Sequence, residues 1–232
     1  MARNVDAVLF DFSATLFDDA AVLTVTGVRA AAGERGVALD DEQAARLVEV
    51  SLATVDAPAG HARREGCDRS ADRHRTVWTE LLTEAATGFL PGQEPRTLAD
   101  AVYACLTDPL SWRAYPDTAP VLTSLHRAGI ALGVVSNIGW DIRPAFAALG
   151  VAELVTSFTL SCEHGAVKPE PALFEAACTR LGVPAERALF VGDDPVRDGA
   201  ATAVGMPVYL LPNHRAADRP RGLAAVLAIA GC

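Results

Sequence analysis

The alternation of apolar and polar positions changes character twice along the 232-residue chain. Val5 to Phe10 is a short apolar run of the kind that forms a buried strand. From about Asp18 to Leu106 apolar residues recur at helical spacing and strand-like runs are absent. This stretch predicts four amphipathic helices, over 20–36, 40–55, 70–86 and 95–106. Asp40 and Ser70 stand where helix N-caps belong. The segments between them, DAPAGHARREGCD and TGFLPGQEP, are rich in Gly, Pro and charge and predict loops.

From Pro116 onward the two periods alternate. Helices are predicted over 118–129, 141–150, 170–182, 195–205 and 221–230, and strands over 130–136, 154–161, 187–192 and 207–211. Apolar strands separated by helices imply a parallel sheet covered on both faces. The first strand belongs to that sheet, so the helical stretch is an insertion. The fold class expected is α/β, a Rossmann-like parallel sheet core made of 1–17 and 110–232 with an inserted α-helical domain over 18–109. No internal repeat or low-complexity tract interrupts this plan.

Composition narrows the partners. The chain is 50% hydrophobic and 21% charged, enough for one large domain or a core with a smaller companion. Its net charge of -9 argues against nucleic acid, whose phosphates call for dense Lys/Arg patches. No apolar run approaches a membrane span, and MARNVDAVLF lacks the apolar core of a signal peptide, so a cytoplasmic protein without a membrane partner is expected, as a monomer or homodimer. Five scattered cysteines with no CxxC or Cys/His spacing predict free thiols. Among its 20 basic residues the chain has a single lysine, Lys168. A compact ammonium and a guanidinium fork do different work, so this lysine is a candidate for function.

Ligands of open parallel sheets bind beyond the carboxyl ends of the strands. Asp11 and Ser13 follow the first strand, Ser136 and Asn137 the second, Lys168 lies after the third, and Asp193, Asp194 and Asp198 follow the fourth. Carboxylates of this kind suit a hard divalent cation such as magnesium. A hydroxyl and an ammonium beside them suit phosphoryl oxygens, and one carboxylate could attack phosphorus.

These segments resemble, in order, the four motifs of the haloacid dehalogenase-like hydrolase superfamily: FDFSATLF, VVSN, VKPEPALF and VGDDPVRDGAATAVGM. The resemblance implies a Rossmann-like core and a helical cap of the C1 type. It implies that Asp11 is the nucleophile and a metal ligand, and that Lys168 neutralises Asp11 and the transferring group. Thr15, Ser136, Asn137 and Lys168 would bind the phosphoryl group of a small phosphorylated substrate. Asp193 and Asp198 would bind or support Mg2+, and the backbone carbonyl of Ser13 would face the metal.

Ser13 departs from the pattern, because the superfamily's phosphatases carry an aspartate there that serves as general acid and base. Serine is a poor acid and a poor base near neutral pH. Four readings follow. A phosphatase could take its proton donor from elsewhere, the cap included, or act only on substrates with good leaving groups. A dehalogenase would send Asp11 to carbon, against the retained Asp193 and Asp198. A silent binding protein would leave the whole acidic set without a purpose.

Lesser candidates have simple alternatives. His164 could reach the site as an acid or base but better suits a solvated loop histidine, the basic run His61–Gly66 could read an anionic substrate tail but better suits an exposed charged loop, and Asp141 reads as a helix cap. His74 and Trp78 share a helix face and suit either a pocket wall or helix packing. Asp194 suits a turn or the metal's water shell. Ala14 replaces a glycine more usual in the superfamily and is expected to be a tolerated small residue.

Overall fold

The computed structural model describes residues 5–212 and 220–232. The first four residues of the N-terminal stretch read above lie outside it. Strand β1 (Ala7–Phe10) enters the middle of the molecule and is followed by a two-residue strand, β2 (Phe17–Asp18). Then come helices α1 (Val25–Gly33), α2 (Asp41–Asp56), α3 (Pro58–Arg64), α4 (Ala71–Ala86) and α5 (Pro95–Thr107). A single 3₁₀ turn, Cys67–Arg69, precedes α4. The chain returns through β3 (Arg113–Ala114), which pairs antiparallel with β2. The two-stranded ribbon therefore brackets the helical stretch at both ends.

The remainder alternates: α6 (Thr118–Arg127), β4 (Ala131–Ser136), α7 (Arg143–Ala148), β5 (Ser157–Leu160), α8 (Ser161–His164), α9 (Pro171–Leu181), β6 (Ala188–Gly192), β7 (Val208–Leu210) and α10 (Ala224–Ala230). The main sheet has the order β5-β4-β1-β6-β7. All four pairings are parallel. Because β4 and β6 flank β1 on opposite sides, the ends of three strands converge at its carboxyl end. This is the crevice in which parallel α/β sheets bind ligands.

Alternating side chains bury both faces of the sheet. Val8, Phe10, Leu132, Val134, Leu189 and Val191 point to one core, which α6, α7 and α10 cover. Ala7, Leu9, Val135, Ala188 and Phe190 point to the other, under Leu173, Phe174 and Ala177 of α9. The helices between β2 and β3 have a core of their own, with Val28, Leu47, Leu81 and Val102 among its members.

Local signals account for several boundaries. Asp40 accepts a hydrogen bond from Gln43 N at 2.8 Å while the Gln43 side chain caps Asp40 N, a reciprocal capping box. The Ser70 hydroxyl accepts from Arg73 N at 3.2 Å. Two expectations are corrected. The Gly- and Pro-containing stretch 56–68 holds helix α3, which starts on Pro58 at its first turn and packs Gly60 against the end of α2. The helix expected over 195–205 is a 3₁₀ helix over Gly199–Val204, preceded by a turn that Asp194 organises. Among the described residues, no helix is long and apolar enough to cross a membrane.

Candidate active site

Asp11 follows β1 directly, and its N–H donates to Val191 O at 2.9 Å, so its position is fixed by the sheet ladder. Lys168 lies in the loop after α8 and is almost completely buried. Its Nζ is 2.7 Å from Asp11 Oδ1 and 2.7 Å from Asp198 Oδ1. The other oxygen of Asp198 accepts the N–H groups of Asp193 and Asp194, at 2.9 and 3.0 Å. Both Asp198 oxygens are thus engaged, and the residue ties the ammonium to the turn after β6. Gly192 makes this possible, since a Cβ there would lie 2.2 Å from Asp198 Oδ2.

Asp11, Asp193 and Asp198 offer oxygens that lie within 4.8 Å of one another. Against these three carboxylates stand one ammonium, that of Lys168, and the guanidinium of Arg221, 4.0 Å from Asp193 Oδ2. Burial, then the charges of Asp198 and Asp193, push the Asp11 carboxyl up to about 7 despite the opposing pull of Lys168. Burial also works against the Lys168 charge, but Asp11 and Asp198 outweigh it and hold the ammonium above its usual range. The cluster therefore carries more negative charge than these two cations balance. An all-oxygen donor set short of positive charge fits a hard divalent cation such as Mg2+.

Asn137 and Thr15, expected beside the phosphoryl group, each have a partner within the protein. The Asn137 amide donates to Lys168 O at 2.9 Å and accepts from Lys168 N at 2.7 Å. It therefore clamps the main chain that carries the lysine. Thr15 is fully buried and is not among the cavity's lining residues. Its hydroxyl donates to Asp193 Oδ1 at 3.3 Å, so it orients a carboxylate. Ser13, Ser136, Asn137, Lys168, Asp193 and Asp198 line a common cavity of about 550 Å³ with Asp11.

The far wall of that cavity comes from the helical insertion. Arg64, Asp68, His74 and Trp78 line it, opposite Trp140 of the core. His74 and Trp78 stack with ring centroids 5.4 Å apart, and His74 lies 5.2 Å from the Trp140 ring. Gly139 permits this approach, because a Cβ there would fall 2.1 Å from the imidazole. Within the basic run His61–Gly66, Arg64 faces the cavity while Arg63 pairs with Glu80 and Glu84. His164 is not among the lining residues, and Glu163 is held by Arg143 at 2.8 Å. Asp194 lines the cavity and accepts the N–H groups of Val196 and Arg197, which is the turn role expected of it. Asp141 accepts from Arg143 N at 3.0 Å at the start of α7.

Arg221 was not visible in the sequence as a site residue. It is fully buried, and its Nε donates to Ala14 O at 2.6 Å. Asp117 takes its main-chain N–H at 2.8 Å. Its Nη2 comes within 4.0 Å of Asp193 Oδ2. Ala14, which the guanidinium pins from outside, has φ 54 and is the one non-glycine among the described residues with positive φ. An L-residue tolerates this at a cost of about 1–2 kcal/mol. Its guanidinium also donates to Pro212 O nearby in the chain, but Ala14 and Asp117 lie more than a hundred sequence positions from it, and no local pattern marks it.

Comparison with known proteins agrees with this geometry. The chain matches the haloacid dehalogenase-like hydrolase family over residues 5–205. It is 31% identical over 155 residues to the haloacid dehalogenase-like hydrolase domain-containing protein 3 of Danio rerio, a match covering 65% of this chain and 62% of that protein. It is 30% identical over 206 residues to the phosphoglycolate phosphatase of Rhodospirillum rubrum, covering 88% of this chain and 78% of the relative. Among solved structures, a 2-haloacid dehalogenase from Pseudomonas syringae superposes with a TM-score of 0.60 at 21% identity over 97% of both chains, which establishes the shared fold. The carboxylate–lysine cluster at the end of β1 and the match over most of the chain lead to one conclusion: this protein belongs to the haloacid dehalogenase-like hydrolase family and is a hydrolase.

Proposed function

We propose that the protein is a Mg2+-dependent phosphatase that hydrolyses a small phosphorylated metabolite through a phosphoryl group carried on Asp11. The observation that carries this reading is the double contact of Lys168 Nζ, 2.7 Å from both Asp11 and Asp198. Such an ammonium holds one Asp11 oxygen and leaves the other free for attack. It also meets the charge that spreads over the phosphoryl oxygens in an in-line transfer. Asp11 and Asp193 would hold Mg2+, with Asp198 steadying the shell, and the ion would supply the remaining positive charge for those oxygens. Ser136 is suited to donate a hydrogen bond to the phosphoryl group. Ser13 can donate one as well but cannot shuttle a proton.

The helical insertion is proposed to act as a cap over 18–109 that selects the substrate and limits water at the reacting centre. Names of curated relatives favour phosphate esters, phosphoglycolate and ribulose 1,5-bisphosphate among them. The dehalogenase alternative shares the fold, and Asp198 would hold Lys168 in it as well, but it gives the Asp193 carboxylate no metal to bind.

The test is release of inorganic phosphate from alkyl, aryl and acyl phosphates, with magnesium and with chelator, beside halide release from 2-haloacids. Magnesium-dependent phosphate release that is lost in Asp11→Asn is the expected result. Halide release without phosphate release would overturn the reading.

A further inference from the structure

Phosphoryl transfer to Asp11 leaves two proton problems that Ser13 cannot solve. The departing alkoxide needs a proton, and the water that later frees Asp11 must lose one. The cavity contains carboxylates other than those around Lys168, namely Asp19, Asp56, Asp68 and Asp194. Two of them are poorly suited. Asp194 is spent on the N–H groups of Val196 and Arg197, which together with the Arg197 charge hold its carboxyl below the usual range against the effect of burial. Asp56 is largely exposed and lies 3.7 Å from Arg64.

Asp68 differs on each count. It sits in the 3₁₀ turn Cys67–Arg69, and that turn is fastened to the core at two points. Asp68 O accepts the Ser161 hydroxyl at 2.8 Å, and the same Ser161 Oγ accepts Ile138 N at 2.9 Å, two residues beyond Ser136. The next residue, Arg69, donates to Gly165 O at 2.9 Å and to Glu170 Oε2 at 3.0 Å. Glu170 Oε2 in turn accepts Val167 N at 3.2 Å, beside Lys168. The turn is thus bonded both to the loop that holds Ser136 and to the loop that holds Lys168. No such anchor is needed for a residue that serves only the insertion's own core.

The surroundings of the Asp68 carboxyl suit a group that changes protonation state. Burial raises it above the usual carboxylate range, against the weaker opposing effects of the Cys67 thiol, Arg197 and Arg64. His74 Nε2 lies 3.7 Å from Asp68 Oδ1, and His74 Nδ1 is bonded to the Tyr103 hydroxyl at 2.9 Å. If that hydroxyl donates, the imidazole proton is on Nε2 and faces the carboxyl. The histidine itself stays neutral, since burial and then Arg64 lower it to about 4.

We propose that Asp68 is the general acid and base of this enzyme, supplied by the insertion in place of the carboxylate missing at position 13. In the first half-reaction an Asp11 oxygen forms a bond to phosphorus as the bond from phosphorus to the leaving oxygen breaks. The proton of the Asp68 carboxyl goes to that oxygen, and the alcohol departs. In the second, the Asp68 carboxylate takes a proton from water as the water oxygen bonds to phosphorus. The bond from Asp11 to phosphorus breaks, which releases phosphate and restores both carboxyl groups. His74 is a positioning residue that keeps Asp68 directed into the cavity.

This inference rests on the phosphatase reading, and the experiment separates the two. The substrates are substituted phenyl phosphates spanning leaving groups from 4-nitrophenol to unsubstituted phenol and beyond to 4-methoxyphenol. Variants are Asp68→Asn, Asp19→Asn, Ser13→Asp, the Ser13→Asp/Asp68→Asn double variant and Asp11→Asn. Asp68→Asn is expected to lower kcat/KM about 100-fold for the least acidic phenol and less than about threefold for 4-nitrophenol, because proton donation matters most for a poor leaving group. The double variant is expected to regain most of the loss, since it places a carboxylate where the family has one. A uniform loss across the series, no recovery in the double variant, or the same leaving-group pattern in Asp19→Asn in place of Asp68→Asn would overturn the role of Asp68. Undiminished turnover in Asp11→Asn would overturn the phosphoryl group on Asp11 on which this inference rests, and no turnover in the wild type would overturn the phosphatase reading.

Discussion

On the sheet side of the cavity, each charged group is fixed by its neighbours. Lys168 bridges Asp11 and Asp198, Asp198 holds two main-chain N–H groups, and Asn137 clamps the lysine from behind. On the insertion side, Trp78, His74 and Arg64 meet across ring faces, with Arg64 Cζ 4.9 Å from the Trp78 centroid. The first wall is a network of short, directional bonds between segments far apart in sequence. The second is built from packing of broad surfaces, which can be remade with other side chains. The reaction type should therefore depend on the sheet side and the choice of substrate on the insertion, with Asp68 as the point where the second wall reaches into the chemistry of the first.

Breaking the sheet-side network should have the largest effect. Lys168→Met leaves the Asp11 and Asp198 carboxylates buried without their shared counter-charge, and removing one partner of a buried pair typically costs about 3–5 kcal/mol. Chemical denaturation should show that loss in metal-free protein, and turnover should be lost at all magnesium concentrations. Equal stability in the variant would mean that the ammonium does little to hold the site together.

The insertion side should respond to pH instead. His74 is lowered to about 4 by burial and by Arg64, against an unperturbed 6.5, so above about pH 6.5 it is neutral in folded and unfolded chains alike. As pH falls from 6.5 toward 4 the unfolded chain takes up a proton that the folded chain refuses. Stability is then lost by up to about 3 kcal/mol across that window. His74→Gln should flatten this part of the profile of folding free energy against pH. A profile that keeps its slope in the variant would place the responsible group elsewhere.

Two smaller changes sharpen the contrast. Gly192→Ala places a methyl against the Asp198 carboxylate and should destabilise the protein by about 1–3 kcal/mol, while lowering turnover through the displaced lysine. Thermal unfolding and kcat measured together would show whether both move. Ala14→Gly relieves the positive φ but frees the unfolded chain, and the two effects oppose, so stability should change by no more than about 1 kcal/mol.

The difference between the walls also explains what could be read from sequence. Asp11, Ser136 and Asp193 are each placed by a strand end, Lys168 and Asp198 lie in the loops that follow strands, and strand ends follow from periodicity. The lone lysine stood out because arginine fills every other basic position. Asp40 and Ser70 were legible because an N-cap bonds within its own turn. Arg221 was not, since Ala14 and Asp117 are distant and its one nearby partner, Pro212 O, is a main-chain carbonyl that leaves no mark in the sequence. Gly139 and Gly192 were missed for a related reason, because each is needed for a close approach by a side chain elsewhere. Thr15 and Asn137 were legible as site residues, but their partners within the protein were not. Their hydroxyl and amide are spent on Asp193 and on the main chain of Lys168, which only the folded geometry reveals.

The central claim is that Asp11 attacks phosphorus. Its most direct test is to mix the protein with acetyl phosphate carrying radiolabelled phosphorus in the presence of magnesium, quench in acid and map the labelled peptide. The account expects acid-stable, base-labile label on the peptide that contains Asp11, and none in Asp11→Asn. Phosphate release by the wild type with no label on that peptide at any quench time, or with equal release by Asp11→Asn, would contradict it.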